Sequence, residues 1–367
     1  MIPVDEESLI RASVRGFAAE YFPLEANRRA LDEAATFDRP TWRAMAEQGW
    51  LGMSIAEEFG GLGLPVTNLC IVAEEMGRAL APVPFCATLG LFAPAIAHAG
   101  TPEQQAHWLP RIAAGEVTGA VAISEGPGAA TGQKLRTRHA GGAIKGTKLP
   151  VLDGMAADAA IVLARDGRSE SLFIVDLRKQ GIERETLETI DPSRPAATLR
   201  FDGAKAERLG AAGTGAELLE YLLARAAVPL AFEQIGGAQR CLEMAVEYAR
   251  DRYAFGRAIG SFQAIKHKLA DLYLRIEVAR LNAHHAASVL DQNAPDLPLA
   301  AAAARVSACD AYWMAAKENI HVHGGIGFTW EMDCHLFYRR SKLLAVTSGP
   351  ATEWKARIAA HLLEEAA

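Results

Sequence analysis

The chain is poor in cysteine and in aromatic residues, and it carries no large excess of either charge. Five cysteines occur in 367 residues, at positions 70, 86, 241, 309 and 334, and none is spaced as a CxxC pair. That spacing excludes a zinc knuckle or a paired-thiol redox centre and predicts reduced, mostly buried thiols. The formal charge of −6 gives no basic face of the kind nucleic acid requires. No apolar run is long enough to cross a bilayer, so no membrane insertion is expected. Phe85 to Ala99 is apolar but short and interrupted by Pro94, which reads as a buried helix. The first residues, Met1-Ile-Pro-Val-Asp-Glu-Glu, are acidic and show no basic-then-apolar leader, so the expected location is cytoplasmic. Internal repeats and low-complexity linkers are absent too.

What is present is a chain half apolar and long enough for two or three domains around a substantial core. Residues 1–117 read as helices. Glu7 to Tyr21 has apolar residues at helical spacing, and Pro40 opens a stretch carrying Trp42, Met45 and Trp50. Thr67 to Leu80 is a helix with Glu74 and Glu75 expected on its wetter side, and Thr101 is expected to cap the next. Near Thr118 the texture changes. Gly119 to Ile123, Leu135 to His139, Ala159 to Ala164, Leu172 to Val175 and Thr198 to Phe201 read as short strands, separated by turns such as Gly141-Gly142 and Asp166-Gly167. From Ala216 helical spacing returns: Glu217 to Arg250 with Pro229 inside, Phe262 to Leu290, Leu297 to Asn319, and Ala351 to Leu363.

Two segments carry chemistry. Arg252-Tyr-Ala-Phe255-Gly256 leads through Gly260-Ser261-Phe262 to Gln263. Arginine offers a planar fork of donors suited to phosphate, the glycines permit a sharp turn, and Ser261 can cap the following helix. Further on, His321-Val-His323-Gly324-Gly325-Ile-Gly327-Phe328 places a glycine cluster after a long helix, where backbone can approach a ligand closely. In this order the two segments resemble the C-terminal domain of the acyl-CoA dehydrogenase family, which shows Arg-x-x-Phe-Gly, then Phe-Gln, then Gly-Gly-x-Gly-Phe. The resemblance covers nearly the whole chain. Trp50-Leu-Gly52 and Glu57-Glu-Phe-Gly60-Gly61-Leu-Gly63 resemble the family's first domain, and Asp191-Pro-Ser-Arg194 with Phe201-Asp202 resembles the end of its β domain.

The resemblance implies a mainly α fold with a central β domain. Its parts are an N-terminal helical domain (1–117), a small β-barrel (118–212) and a C-terminal four-helix bundle (213–367). It implies FAD as cofactor, acyl-CoA as substrate, electron-transfer flavoprotein as redox partner, and a homo- or hetero-oligomer, with a tetramer expected. It assigns Arg252, Phe255 and Gln263 to the adenine-diphosphate end of FAD, Gly324, Gly325 and Gly327 to the turn against the pyrophosphate, and Ser124 to the flavin end. No metal site is expected, since the histidines lack ligand spacing.

At the flavin end the chain departs from the family. Where relatives carry Thr/Ser-Glu-Pro-Gly-Ala-Gly-Ser-Asp, this chain has Ser124-Glu125-Gly126-Pro127-Gly128-Ala-Ala-Thr131. Where they carry Trp-Ile-Thr/Ser-Asn, it has Pro150-Val151-Leu152-Asp153-Gly154, and neither Val151 nor Leu152 has a side-chain donor. The reaction removes an α-proton and a β-hydride, so a carboxylate within reach of the α-carbon is needed. The family's glutamate slot falls on Ser348, and an alternative slot on the preceding helix falls near Ala226. Glu233, about two helical turns after Ala226 and among apolar neighbours, is the candidate base. Its alternative is a structural role, bonded to a helix end or to an arginine across the bundle; Glu125 and Glu331 are weaker candidates, with Glu331 expected to pair with Arg339 or Arg340. Three functional readings follow: an acyl-CoA dehydrogenase, which can require a mixed oligomer; a companion subunit that completes the FAD site of a catalytic partner; and a flavin-dependent oxygenase on the same scaffold.

Overall fold

The computed structural model describes residues 4–33, 37–127 and 135–365. Six helices come first: α1 (Val4–Tyr21), α2 (Leu24–Arg29), α3 (Arg39–Glu47), α4 (Val66–Arg78), α5 (Ala93–Ala99) and α6 (Pro102–Ala113). Eight strands follow: β1 (Gly119–Ala122), β2 (Arg138–Ala140), β3 (Ala143–Leu152), β4 (Ala159–Asp166), β5 (Ser169–Asp176), β6 (Ile182–Leu187), β7 (Ala196–Lys205) and β8 (Glu207–Leu209). Helices then return: α7 (Gly215–Asp251), a hairpin of β9 (Tyr253–Ala254) and β10 (Arg257–Ala258), α8 (Gln263–Asp291), α9 (Leu297–His323), α10 (Cys334–Val346) and α11 (Ala351–Glu365). Two compact units emerge: Met1–Asp32, Val66–Ala81 and Ala227–Ala367 in one, Glu33–Pro65 and Pro82–Ala226 in the other.

The second unit is built on one sheet of order β6-β7-β3-β2-β4-β5-β8, with β1 parallel to β4. No pairing among the described residues joins β6 to β8, so in place of the expected small barrel the strands form an open sheet. Ile144, Val162, Phe173, Val175 and Leu199 alternate inward to form its core. Three strands escape the sequence pattern for physical reasons. Gly146 and Pro150 interrupt β3; at Gly146 a Cβ would come 2.6 Å from the Thr137 hydroxyl, so only glycine fits there. β6 is charged along its length, as suits an edge, and β8 is three residues long. The apolar segment after Phe85 winds as a π-helix over Cys86–Phe92 before α5, where Pro94 is tolerated in the first turn. Phe92 meets Trp108 edge-on at 6.0 Å. Thr101 caps α6 through a reciprocal bond pair with Gln104.

The first unit is helical. α4 and α7 cross closely through reciprocal glycines. A Cβ on Gly77 would lie 1.8 Å from the Glu233 carbonyl oxygen, and one on Gly236 would lie 1.8 Å from that of Glu74. Neither side tolerates a methyl group, so two backbones meet where side chains would normally interpose. Glu74 and Glu75, expected on a wet face, are instead buried. Arg11 reaches Glu74 at 2.7 Å and Glu75 at 2.9 Å, Arg15 reaches Glu75 at 2.8 Å and Arg280 reaches Glu74 at 3.1 Å. Buried carboxylates persist when cations and hydrogen bonds compensate them, and cations from α1 and α8 cannot be seen in the pattern of α4.

Candidate functional site

The Arg252 segment forms an exposed corner. α7 ends at Asp251, and β9 pairs antiparallel with β10, Arg257 opposite Ala254 and Ala258 opposite Tyr253. The two residues between them, Phe255 and Gly256, have φ of 53° and 77°. This is the left-handed pair that a two-residue hairpin requires, and Phe255 accepts strain that glycine would not. Its ring is 94 % exposed and stands edge-on to Phe262 at 6.2 Å, while the Arg257 guanidinium lies 4.1 Å above the Phe262 ring. Arg252 is exposed, and no carboxylate among the described residues pairs with it. Gln263 is exposed at the first position of α8. Ser261 does not cap that helix: Phe262 occupies the N-cap position and no side chain bonds there.

The glycine turn lies close by through packing. Tyr248, near the end of α7, stacks on His323 at 4.2 Å, immediately before Gly324. Ala245, Ala249 and Val322 form a small core with Tyr248, Ile259, Ile265 and Leu269 packed on it, which joins the hairpin, the start of α8 and the end of α9. His323 is buried, its Nδ1 2.8 Å from the Asn319 carbonyl oxygen, and burial pushes its pKa down. Gly324 has φ of 66° and a Cβ there would meet nothing, nor would one on Gly325; at Gly327 a Cβ would come 2.6 Å from the Ile320 oxygen. Gly324 and Gly325 therefore present bare backbone outward while Gly327 secures the turn. Glu318 gathers Lys268 and His321 beneath it. An unpaired guanidinium, an exposed amide and an open glycine turn on one buttressed corner fit a phosphate-bearing nucleotide.

The flavin-end residues lie in the other unit. Ser124 is half-buried, with its carbonyl accepting from Leu149 N at 3.0 Å. Gly128 to Thr131 lie outside the described residues. Val151 is buried in the sheet core. Asp153, with φ of 58°, is held by Arg194 in a buried two-pronged pair, Nε to Oδ1 at 2.8 Å and Nη2 to Oδ2 at 2.6 Å. The Asp153 carboxylate is thus closed in an ion pair within the unit. Asp153 and Ser193 also border a cleft of 330 Å³ with Phe37 and Arg39.

Around Ser348 and Glu233 the geometry is equally definite. Ser348 follows α10 with φ of 60°, and Gly349 with φ of 100°. The fully buried Arg305 of α9 holds this turn, donating to the carbonyl oxygens of Leu344 and of Thr347, the latter at 2.7 Å, and to Gln234. Glu233 is buried on α7 with Oε1 3.8 Å from Arg340 Nη1. Arg340 also donates to the Ala81 and Leu80 oxygens at 3.4 and 3.3 Å. Glu233 therefore sits in the junction of α4, α7 and α10. Glu331 accepts from Thr329 at 3.4 Å, and Arg339 lies over the Trp330 ring, so the expected helix pairs of Glu331 give way to these contacts. No His/Cys/Asp/Glu cluster able to hold a metal occurs among the described residues. Sequence reading missed Lys148, Arg194 and Arg305. For Lys148 a signal existed: it lies four residues after Ile144 in one strand, hence on the same inward face.

The comparisons with known proteins show the family. Residues 4–116 match the model of the acyl-CoA dehydrogenase N-terminal domain and residues 213–363 that of its C-terminal domain. Acyl-CoA dehydrogenase IpdE2 of Mycobacterium tuberculosis is 35 % identical over 346 residues, covering 93 % of this chain and 92 % of its own. Among solved structures, the steroid ACAD Tcur3481-Tcur3483 superposes with a TM-score of 0.89 at 31 % identity, covering 99 % of each chain. The ChsE4-ChsE5 complex of Mycobacterium tuberculosis gives 0.89 at 28 %, covering 99 % of this chain and 98 % of its own. The chain belongs to the acyl-CoA dehydrogenase family, flavin-dependent oxidoreductases that act on the CH–CH bond of acyl-CoA thioesters.

Proposed function

We propose that this chain takes part in FAD-dependent α,β-dehydrogenation of an acyl-CoA as one subunit of a mixed oligomer, probed first by its hold on the nucleotide. Arg252 and Gln263 would bind the adenine-diphosphate end, Phe255 would pack beside it, and the Gly324–Gly327 turn would lie against the pyrophosphate. When bound, the flavin accepts the β-hydride. What supports the reading is the exposed corner of Arg252, Gln263 and the bare Gly324–Gly325 backbone, together with Ser348 at the position the family resemblance assigns to the base, a hydroxyl that is no general base near neutral pH without an activating partner. The likeness to a complex of two chains, ChsE4 and ChsE5, supports a partner subunit. Likeness to a steroid ACAD supports a bulky acyl group.

The test is the visible absorption spectrum of the chain expressed alone and together with a candidate second dehydrogenase subunit. A colourless protein that becomes yellow, and bleaches with acyl-CoA, only in the mixed form supports the proposal. Stoichiometric flavin and turnover in the homo-oligomer would overturn the need for a partner. Glu233→Gln decides the remaining base. Turnover lost with flavin retained and the thermal midpoint unchanged assigns proton removal to Glu233. A lowered midpoint with turnover intact assigns it to the helix junction with Arg340, the role its geometry favours.

A further inference from the structure

Lys148 is fully buried on β3, in a unit whose other described lysines face water. Its Nζ donates to the Ile123 carbonyl oxygen at 2.9 Å and to Glu125 Oε1 at 2.9 Å. The same carboxylate accepts from Thr137 N at 2.9 Å through Oε1 and from Arg136 N at 2.7 Å through Oε2. One carboxylate thus joins three stretches of chain: Ile123–Gly126, Arg136–Thr137 and Lys148. The backbone repeats the link, since Leu149 N donates to the Ser124 oxygen and Gly126 N donates to the Leu149 oxygen at 2.9 Å. A carboxylate accepting two backbone N–H bonds and an ammonium bond is a strong, geometrically specific anchor. Burial opposes ionisation of both groups. The hydrogen bonds outweigh it at Glu125, whose pKa falls, whereas at Lys148 burial dominates and pushes the pKa down to about 8. Glu170 is the other charged group whose field reaches Lys148.

Neither residue makes a contact that the chemistry of the reaction calls for, yet both flank Ser124. We infer that Glu125 and Lys148 are positioning residues, which set the backbone of Ser124 and thereby the seat of the flavin end of the cofactor. The inference rests on the proposed reading of Ser124 as a flavin-end residue.

The test compares wild type with Glu125→Gln, Lys148→Met and Ser124→Ala, each as the full chain in the oligomer that retains flavin, with FAD as the probe. Amide exchange is measured over residues 119–127 and 135–152, and FAD affinity and its visible absorption envelope by titration. E125Q cannot accept both backbone N–H bonds, and losing such a bond is expected to speed exchange at Arg136 and Thr137 about tenfold or more. Affinity for FAD should fall about tenfold or more, with a changed envelope. S124A should weaken FAD without changing exchange. If E125Q fails to fold, K148M carries the test: exchange should rise at Ile123–Gly126 while Arg136 and Thr137 stay protected by the retained carboxylate. Unchanged exchange in the folded variants overturns the anchor, whatever the flavin does. Raised exchange with FAD binding weakened in S124A but unchanged in E125Q overturns the positioning role alone. Raised exchange with FAD binding unchanged in both variants overturns the reading of Ser124 and the positioning role with it.

Discussion

A lysine with no exposed surface makes an unusual contribution to stability. The folded chain holds Lys148 at a pKa of about 8 against an ordinary 10.5. The folded state therefore releases this proton at a lower pH than the unfolded state. Between those values the unfolded chain binds more protons, so this group makes folding more favourable as pH rises. Wild type is expected to gain about 3 kcal/mol relative to Lys148→Met on going from pH 8 to 10.5. Denaturant unfolding of both proteins at the two pH values checks this; parallel pH profiles would refute it. Arg305 presents the reverse case, a buried cation that serves carbonyl oxygens at Leu344 and Thr347 and the amide of Gln234. Arg305→Met removes the donor and leaves those acceptors dry, at about 1–3 kcal/mol for each unsatisfied group. The midpoint of unfolding should drop sharply, with a loss of about 3 kcal/mol or more. Neither residue announced itself by type, because burial of a charge depends on partners far along the chain.

At the scale of elements, the α4–α7 crossing makes a sharp prediction. Gly77→Ala and Gly236→Ala each push a methyl group onto a main-chain oxygen of the facing helix. Backbone cannot swing away as a side chain can, so each should cost about 1–3 kcal/mol or more. Once one substitution has parted the helices, the second meets less resistance, and the double variant should cost less than the sum. Thermal or denaturant unfolding of the four proteins checks both statements. Most helices were legible from periodicity alone, because each buries one continuous stripe. α8 and α9 fall within a few residues of their expected bounds, and the Thr101 cap appears as expected. The strands were legible where both faces are apolar, as in β4 and β5. They were not legible where glycine, proline or charge breaks the alternation, as in β3 and β6. Glu74 and Glu75 were misread because amphipathic reasoning sees one helix at a time, and their cations come from α1 and α8.

For the whole molecule, the helical, sheet and helical order follows the sequence, while closure of the sheet into a barrel does not. The hairpin at Phe255-Gly256 and the turn at Gly324 were legible as breaks in the helices because glycine marks both. For Glu233 the sequence offered both a base and a partner of an arginine, but not which arginine, since Arg340 lies more than a hundred residues away. The corner also exposes large apolar side chains: Phe255, Phe328 (84 %) and Trp330. Such a surface beside a free guanidinium suits burial against another subunit. Arg252→Ala should weaken FAD retention by about 1.5–3 kcal/mol, the worth of a charge-assisted bond. The unfolding midpoint of the flavin-free protein should stay unchanged. Equilibrium dialysis with FAD and a melting curve provide the check, and equal FAD retention would dismiss Arg252 as a phosphate ligand.

Arg305 grips main-chain oxygens on the turn that carries position 348, and main-chain atoms are the same whatever residue stands there. These contacts do not involve the side chain at 348, whose backbone φ of 60° nevertheless disfavours β-branched residues there. A replacement at 348 that accepts a left-handed backbone therefore leaves the grip of Arg305 on Leu344 and Thr347 in place.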